Sequence, residues 1–149
     1  MTPLIDYSSK PPVRNLSIRA PHLANYDRIY GGRDPGIGEK AEDYSEAALQ
    51  GYLASYDALG ARKVVIKARD LETTFSARIR KADVAGFCRI HGDRVVGFAG
   101  VDPHKGMTAV RELEFAVREL GLIGLNLQCF EHKLHINDPR MYPLYAKCI

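Results

Sequence analysis

The sequence predicts an α/β fold: a parallel sheet built from about four βα units in a single domain over residues 1–149. Three observations carry this. Val95–Val101 and Ile123–Gln128 are short apolar runs, and between them Val110, Leu113, Val117 and Leu120 recur at helical spacing up to a stop at Gly121. A helix between two short buried strands is a βαβ unit, which sets its strands parallel. Upstream, Lys63–Arg69 is a third β-branched run, preceded by a helical stripe of Leu49, Tyr52, Leu53, Tyr56 and Leu59. The order β-α-β-α-β-α-β-α fits a doubly wound sheet or half of a (β/α)8 barrel. A whole barrel takes ~250 residues, and this chain has 149.

Each element has its own signals. Leu4-Ile5-Asp6-Tyr7 opens as a strand and Pro11-Pro12 ends it. Val13 to Asp43 carries Gly31-Gly32, Asp34-Pro35-Gly36 and Gly38, so it reads as irregular chain, long enough to serve as a lid or substrate loop. Asp43-x-x-Glu46 reads as a capping box and Gly60 as the stop of the first helix. Asp70 to Phe75 reads as a loop, with a helix within Ala77–His91 and a turn at Gly92-Asp93. Asp138-Pro139 reads as the start of the last helix, with Met141, Leu144, Tyr145 and Cys148 on its apolar face. The chain stops at Ile149, inside that helix.

Composition bounds the function. Apolar residues make up 46% and charged residues 26%, a globular balance with a core. A net charge of +3, with Lys and Arg scattered among acids, argues against a nucleic-acid partner. No apolar run is long enough to span a membrane. The N-terminus lacks the pattern of a signal peptide, so the expected location is the cytoplasm. Cys88, Cys129 and Cys148 are odd in number and unpaired in spacing, and are expected as reduced core thiols.

In parallel folds the site lies at the carboxyl ends of the strands. Side chains alternate across a strand. Val64, Ile66 and Ala68 then face the helices and leave Lys67 and Arg69 inward. Leu125 and Leu127 face out and leave Asn126 and Gln128 inward. Asp102 lies at the rim, and Asp6, Ser8 and Lys10 share one parity. The expected inward polar set is Asp6, Ser8, Lys10, Lys67, Arg69, Asp102, Asn126 and Gln128. His104, His132 and His135 lie near the rim.

Several residues have a sharp and a bland reading. Lys67, beside Arg69, could be a Schiff-base nucleophile. The favoured reading is an anion-binding or structural lysine that takes a carboxylate together with Lys10 and Arg69. Asp102 could act as acid or base, but an Asp at a strand end more often caps the following turn. His132-x-x-His135 lacks a third ligand at useful spacing, so loop or substrate contact is favoured over metal. His22 and His91 read as surface or helix-end residues. The Tyr52/Tyr56 stripe reads as core, Cys129 as outward-packing, and Asn137-Asp138-Pro139-Arg140 as helix initiation.

Three motifs in combination are specific: Gly97-Phe98-Ala99-Gly100-Val101-Asp102-Pro103, then Gly121-Leu122-Ile123-Gly124-Leu125-Asn126-Leu127, then Asn137-Asp138-Pro139-Arg140-Met141-Tyr142-Pro143-Leu144-Tyr145. Together they resemble the amidohydrolase-related family, in particular its aminocarboxymuconate-semialdehyde decarboxylase-like branch. The resemblance is strong over the last third and looser over the second helix and strand. It implies the N-terminal half of a TIM (β/α)8 barrel, cut within the fourth helix. It also implies metal-dependent hydrolysis, hydration or decarboxylation of small carboxylated or carbonyl compounds, with zinc or manganese. In that family the first strand reads I-D-x-H-x-H-x-P and its histidines bind the metal. Here the run is Ile5-Asp6-Tyr7-Ser8-Ser9-Lys10-Pro11, with Ser8 and Lys10 at the histidine positions. Neither is a credible ligand, so no metal ligand and no resident cofactor is assigned to this chain.

Lys67 and Asp102 remain the catalytic candidates. Lys10, Lys67, Arg69, His104, Asn126, Gln128 and His132 are the substrate-binding candidates. Three functions compete: an amidohydrolase-type hydrolase or carboxy-lyase, inactive as these 149 residues alone; a non-catalytic half-barrel that persists by pairing; and a Schiff-base lyase through Lys67. The exposed edges of a half-barrel imply a homo-oligomer or aggregate.

Overall fold

A computed structural model describes residues 4–18 and 43–149. Most of the segment expected to be irregular, with Gly31 to Gly38 and His22, lies outside the described residues. Four parallel strands form one curled sheet: β1 (Leu4–Asp6), β2 (Ala61–Lys67), then β5 (Val95–Ala99) and β6 (Gly124–Leu125). Neighbours in space are successive units in sequence, which is the winding of half a (β/α)8 barrel. Between β2 and β5 the chain adds a small antiparallel hairpin, β3 (Arg69–Leu71) and β4 (Ala77–Ile79).

The order follows from side-chain chemistry. Val64, Val65 and Ile66 are β-branched and buried at the sheet's centre. Lys67 pairs in register with Phe98, and Phe98 with Gly124. Ile66, Ala68, Val95 and Ala99 join the core under the helices. That core takes Val84, Ala85 and Phe87 from α3 (Lys81–Ile90), Ala109, Leu113 and Ala116 from α4 (Met107–Arg118), and Leu144 from α6 (Tyr142–Cys148). Gly100, just after β5, runs against the chain leaving β2: a Cβ there would lie 2.1 Å from the Ala68 carbonyl oxygen.

Several boundaries differ from the expectation. α1 (Glu46–Ala58) is capped by Ser45, whose hydroxyl accepts the Ala48 N–H at 3.2 Å. Asp43 instead accepts the N–H of Ser45. Its stripe is only half covered, no residue of α1 is buried, and Leu59 is exposed. Asp70–Phe75 is not plain loop, because β3 continues into α2 (Glu72–Phe75). On α4, Ala109 and Ala116 fill the positions nearest the sheet and Val117 is exposed. The fourth strand pairs over two residues, not six, and Ile123 is exposed. The last helix starts at Tyr142 with Pro143 in its first turn, not at Asp138-Pro139. Cys88 and Cys129 are half-buried, but Cys148 is exposed rather than core. Burial pushes the Cys88 thiol up to about 11. No described helix is long and apolar enough to cross a membrane.

Candidate functional site

The inner face of the curled sheet is set by alternation along β2 and β5. Because Ile66 and Ala68 pack beneath the helices, Lys67 is turned to the opposite face. Phe98 lies beside it across the ladder. The Tyr7 ring meets Phe98 edge-on, with centroids 5.5 Å apart at 88°. The Lys67 Nζ sits 4.0 Å above the centre of the Tyr7 ring, a cation–π distance. On the next strand Gly124 leaves room for Phe98, since a Cβ there would lie 2.7 Å from that ring. The result is an ammonium group framed by two aromatic rings at the carboxyl end of the sheet. Burial lowers the Lys67 pKa, the Asp6 charge raises it and Arg69 lowers it, for a net downward shift.

The first strand has the opposite parity to the expected one. Tyr7, not Asp6, accompanies Lys67 on the inner face. Asp6 turns to α1, where the Tyr56 hydroxyl donates to Oδ2 at 2.5 Å. The N–H of Ser8 takes Oδ1 at 2.9 Å. Ser9 Oγ lies 2.7 Å from the Tyr52 hydroxyl and 2.6 Å from that of Tyr56. Tyr52 and Tyr56 therefore form a hydroxyl cluster as well as an apolar stripe. The Tyr56 and Ser8 hydrogen bonds hold the Asp6 carboxyl below its ordinary range. Burial pushes Tyr52 up to about 12. Ser8 and Lys10 are exposed.

Arg69 is buried, and its guanidinium is engaged by Glu131: Nε donates to Oε2 at 3.2 Å and Nη2 pairs with Oε1. With its amide nitrogen turned to Glu131, Gln128 donates to the same carboxylate at 2.8 and 3.2 Å. Glu131, on α5 (Cys129–His132), is a functional-looking acid that the sequence reading missed. Asn126 is half-buried, and its N–H donates to the Ala99 carbonyl at 2.7 Å.

The rim beyond β5 is a second polar cluster. Asp102 is fully buried and caps its own turn: Oδ1 accepts the His104 N–H at 3.0 Å and Oδ2 the Thr73 N–H at 3.1 Å. Burial alone would raise its pKa, but hydrogen bonds from Thr73 and His104 hold the carboxyl low. His104 Nε2 reaches the His132 carbonyl at 2.8 Å and must donate to it, which leaves Nδ1 to accept from Arg140 at 3.1 Å. Arg140 in turn grips Asp138 through two nitrogens, both at 2.8 Å. Asp138-Pro139-Arg140 is therefore a clasp between two loops rather than a helix start. His132 is buried, burial depresses its pKa, and its Nδ1 has no hydrogen-bond partner among the described residues. His135 is exposed, so the two histidines of the expected pair lie in different environments.

The donor set does not fit a divalent metal. No group of three or more His, Cys, Asp or Glu stands close enough to hold one among the described residues. At the end of β1 the Asp6 carboxylate accepts from Tyr56 and from the Ser8 N–H, and the neighbouring Ser8 and Lys10 are poor metal ligands.

A curled four-stranded parallel sheet, with helices on its outer face and its polar groups at the carboxyl ends, defines one half of a TIM barrel. The chain belongs to the amidohydrolase family, whose model matches residues 18–149. No curated protein matches it. Among solved structures it is similar to an uncharacterised TIM-barrel protein from Bordetella bronchiseptica, with 21% identity and a TM-score of 0.69 over 99% of this chain and 52% of that one. It is also similar to 5-carboxyvanillate decarboxylase from Novosphingobium aromaticivorans, solved with manganese (19% identity, TM-score 0.59, 97% of this chain and 47% of that one). A third is 2,6-dihydroxybenzoate decarboxylase complexed with 2,6-dihydroxybenzoate (17% identity, TM-score 0.54, 99% and 47%). At these identities the likeness is one of fold. The chain spans about half the length of these structures.

Proposed function

We propose that this chain supplies the N-terminal half of an amidohydrolase-type site for small carboxylated compounds, aromatic acids foremost. The observation that carries this reading is the Lys67 ammonium held over Tyr7 and beside Phe98 on the inner face. An ammonium binds a carboxylate, and two ring faces take up a flat apolar body. The decarboxylases of similar fold act on such acids by name. In this reading Asn126, just after β6, takes a ring hydroxyl or carbonyl oxygen. Arg69 is engaged by Glu131 rather than free to join Lys67, and Lys10 is exposed. Hydrolysis or decarboxylation is the family-level chemistry, with a divalent metal at that level. The residues present here do not fit that metal, and no step is assigned through it. These 149 residues are expected to bind without turnover.

Calorimetric titration with benzoate and 2,6-dihydroxybenzoate tests the reading. Lys67→Ala should weaken binding by about tenfold, the effect of losing one charge-assisted hydrogen bond. Equal affinity in wild type and variant would sink it.

A second reading has its own observation. Leu4 and Ile5 on β1, and Ile123 beside β6, are exposed apolar residues at the two edges of the sheet. Among the described residues no strand pairs with the free side of β1 or of β6. A half-barrel that persists by pairing would cover them.

A further inference from the structure

The four groups at the end of β1 have one consistent set of proton positions. Asp6 is ionised and only accepts, so the single proton of Tyr56 is committed to it. Tyr56 oxygen must then accept from Ser9, which commits the Ser9 proton. Ser9 oxygen must in turn accept from Tyr52. The relay runs one way: Tyr52 to Ser9 to Tyr56 to Asp6. It spans the loop after β1 and α1, and Ser9 is anchored further by its N–H to the Val65 carbonyl at 3.1 Å.

We infer that the Tyr56 hydrogen bond keeps Asp6 turned to α1 and out of direct contact with Lys67, so that the ammonium supplies the positive charge of the mouth and small carboxylates bind there without a divalent ion. The inference rests on the carboxylate reading above and goes beyond it, since it assigns the source of charge and a positioning role to Tyr56. Ser8 and Lys10 are poor ligands, and Asp6 is turned to Tyr56 and the Ser8 N–H. Lys67 needs only to stay out of direct contact with a carboxylate of this chain. A carboxylate released from Tyr56 is free to swing toward Lys67, close enough already to be felt as a charge.

The test is benzoate titration of the chelator-treated chain, with and without added manganese, on wild type, Tyr56→Phe and Tyr52→Phe. Manganese alone should give no saturable heat, and benzoate affinity should be the same in both buffers. Tyr56→Phe should weaken benzoate roughly fivefold, the scale of one partly exposed ion pair formed in competition. It should also raise the pH at which benzoate binding is lost, because Asp6 then holds the proton on Lys67. Tyr52→Phe removes a hydroxyl of the same kind but leaves the Tyr56–Asp6 bond, and should bind as wild type does. Benzoate binding only with manganese would overturn this inference and leave the carboxylate reading standing. No benzoate binding in either buffer would overturn the carboxylate reading and this inference with it. Equal losses in the two variants would mean general loosening and would overturn the role of Tyr56.

Discussion

Arg69 and Glu131 form a buried ion pair, 9% and 2% exposed, joined across 62 residues of sequence. A buried pair is a net stabiliser only weakly, but removing one partner strands the other. Glu131→Gln is therefore expected to destabilise the fold by roughly 3 kcal/mol, while Arg69→Met with Glu131→Leu should recover most of the loss. Urea unfolding of both variants checks this. His132 carries a pH dependence of definite sign. Its pKa is depressed below 6.5 by burial, against the pull of Asp102. Above 6.5 both states are neutral and the full stability is present. As pH falls below 6.5 the unfolded chain takes up a proton that the buried imidazole refuses, and stability is lost. Thermal midpoints between about pH 7.5 and 5.5 should fall more steeply for wild type than for His132→Phe. The inward place of Lys67 was legible, because β-branched neighbours fix the outward parity of β2. The turn of Asp6 toward α1 was not: β1 has three residues and a register shift between Leu4 and Ile5, so alternation has too little strand to act on. Glu131 was illegible because an acid in a loop shows no partner until the chain has folded.

Strands and helices owe their positions to a few close contacts. At Gly100 any side chain would meet the backbone of Ala68, which follows directly on β2 and is fully buried in the core. Gly100→Ala is expected to cost about 3 kcal/mol or more, read as a lowered denaturation midpoint at unchanged slope. Element existence was largely readable: three of the four parallel strands and all four outer helices fall where periodicity put them. The hairpin β3–β4 was missed because Arg69-Asp70-Leu71 and Ala77-Arg78-Ile79 are too short and polar to show alternation. The helix start at Tyr142 was misplaced for a different reason. Asp-Pro is a good initiation signal, but Asp138 spends its carboxylate on Arg140, with Oδ1 also taking the Arg140 N–H at 3.0 Å. A local propensity lost to a stronger charge-assisted contact.

At the scale of the molecule, the half-barrel has two parallel edges and one inner face. A closed barrel has no edges, and an open one invites pairing. The 149-residue chain is expected to associate in a concentration-dependent way, seen by light scattering, and Ile5→Lys on the β1 edge should weaken that association. A monodisperse monomer at all concentrations would show that the edges are otherwise protected. The doubly wound alternative left open by the strand order is settled by topology, since the sheet order never doubles back. The clasp of His104, Arg140 and Asp138 adds a consequence for how the molecule breathes. β6 contributes only two residues to the ladder, so backbone pairing alone holds the fourth unit weakly. His104 ties the loop after β5 to the His132 carbonyl and to Arg140, ahead of the last helix. The segment from Asn126 to Met141 is therefore expected to open as one cooperative unit, its amides exchanging together in hydrogen-exchange measurements and faster in His104→Ala.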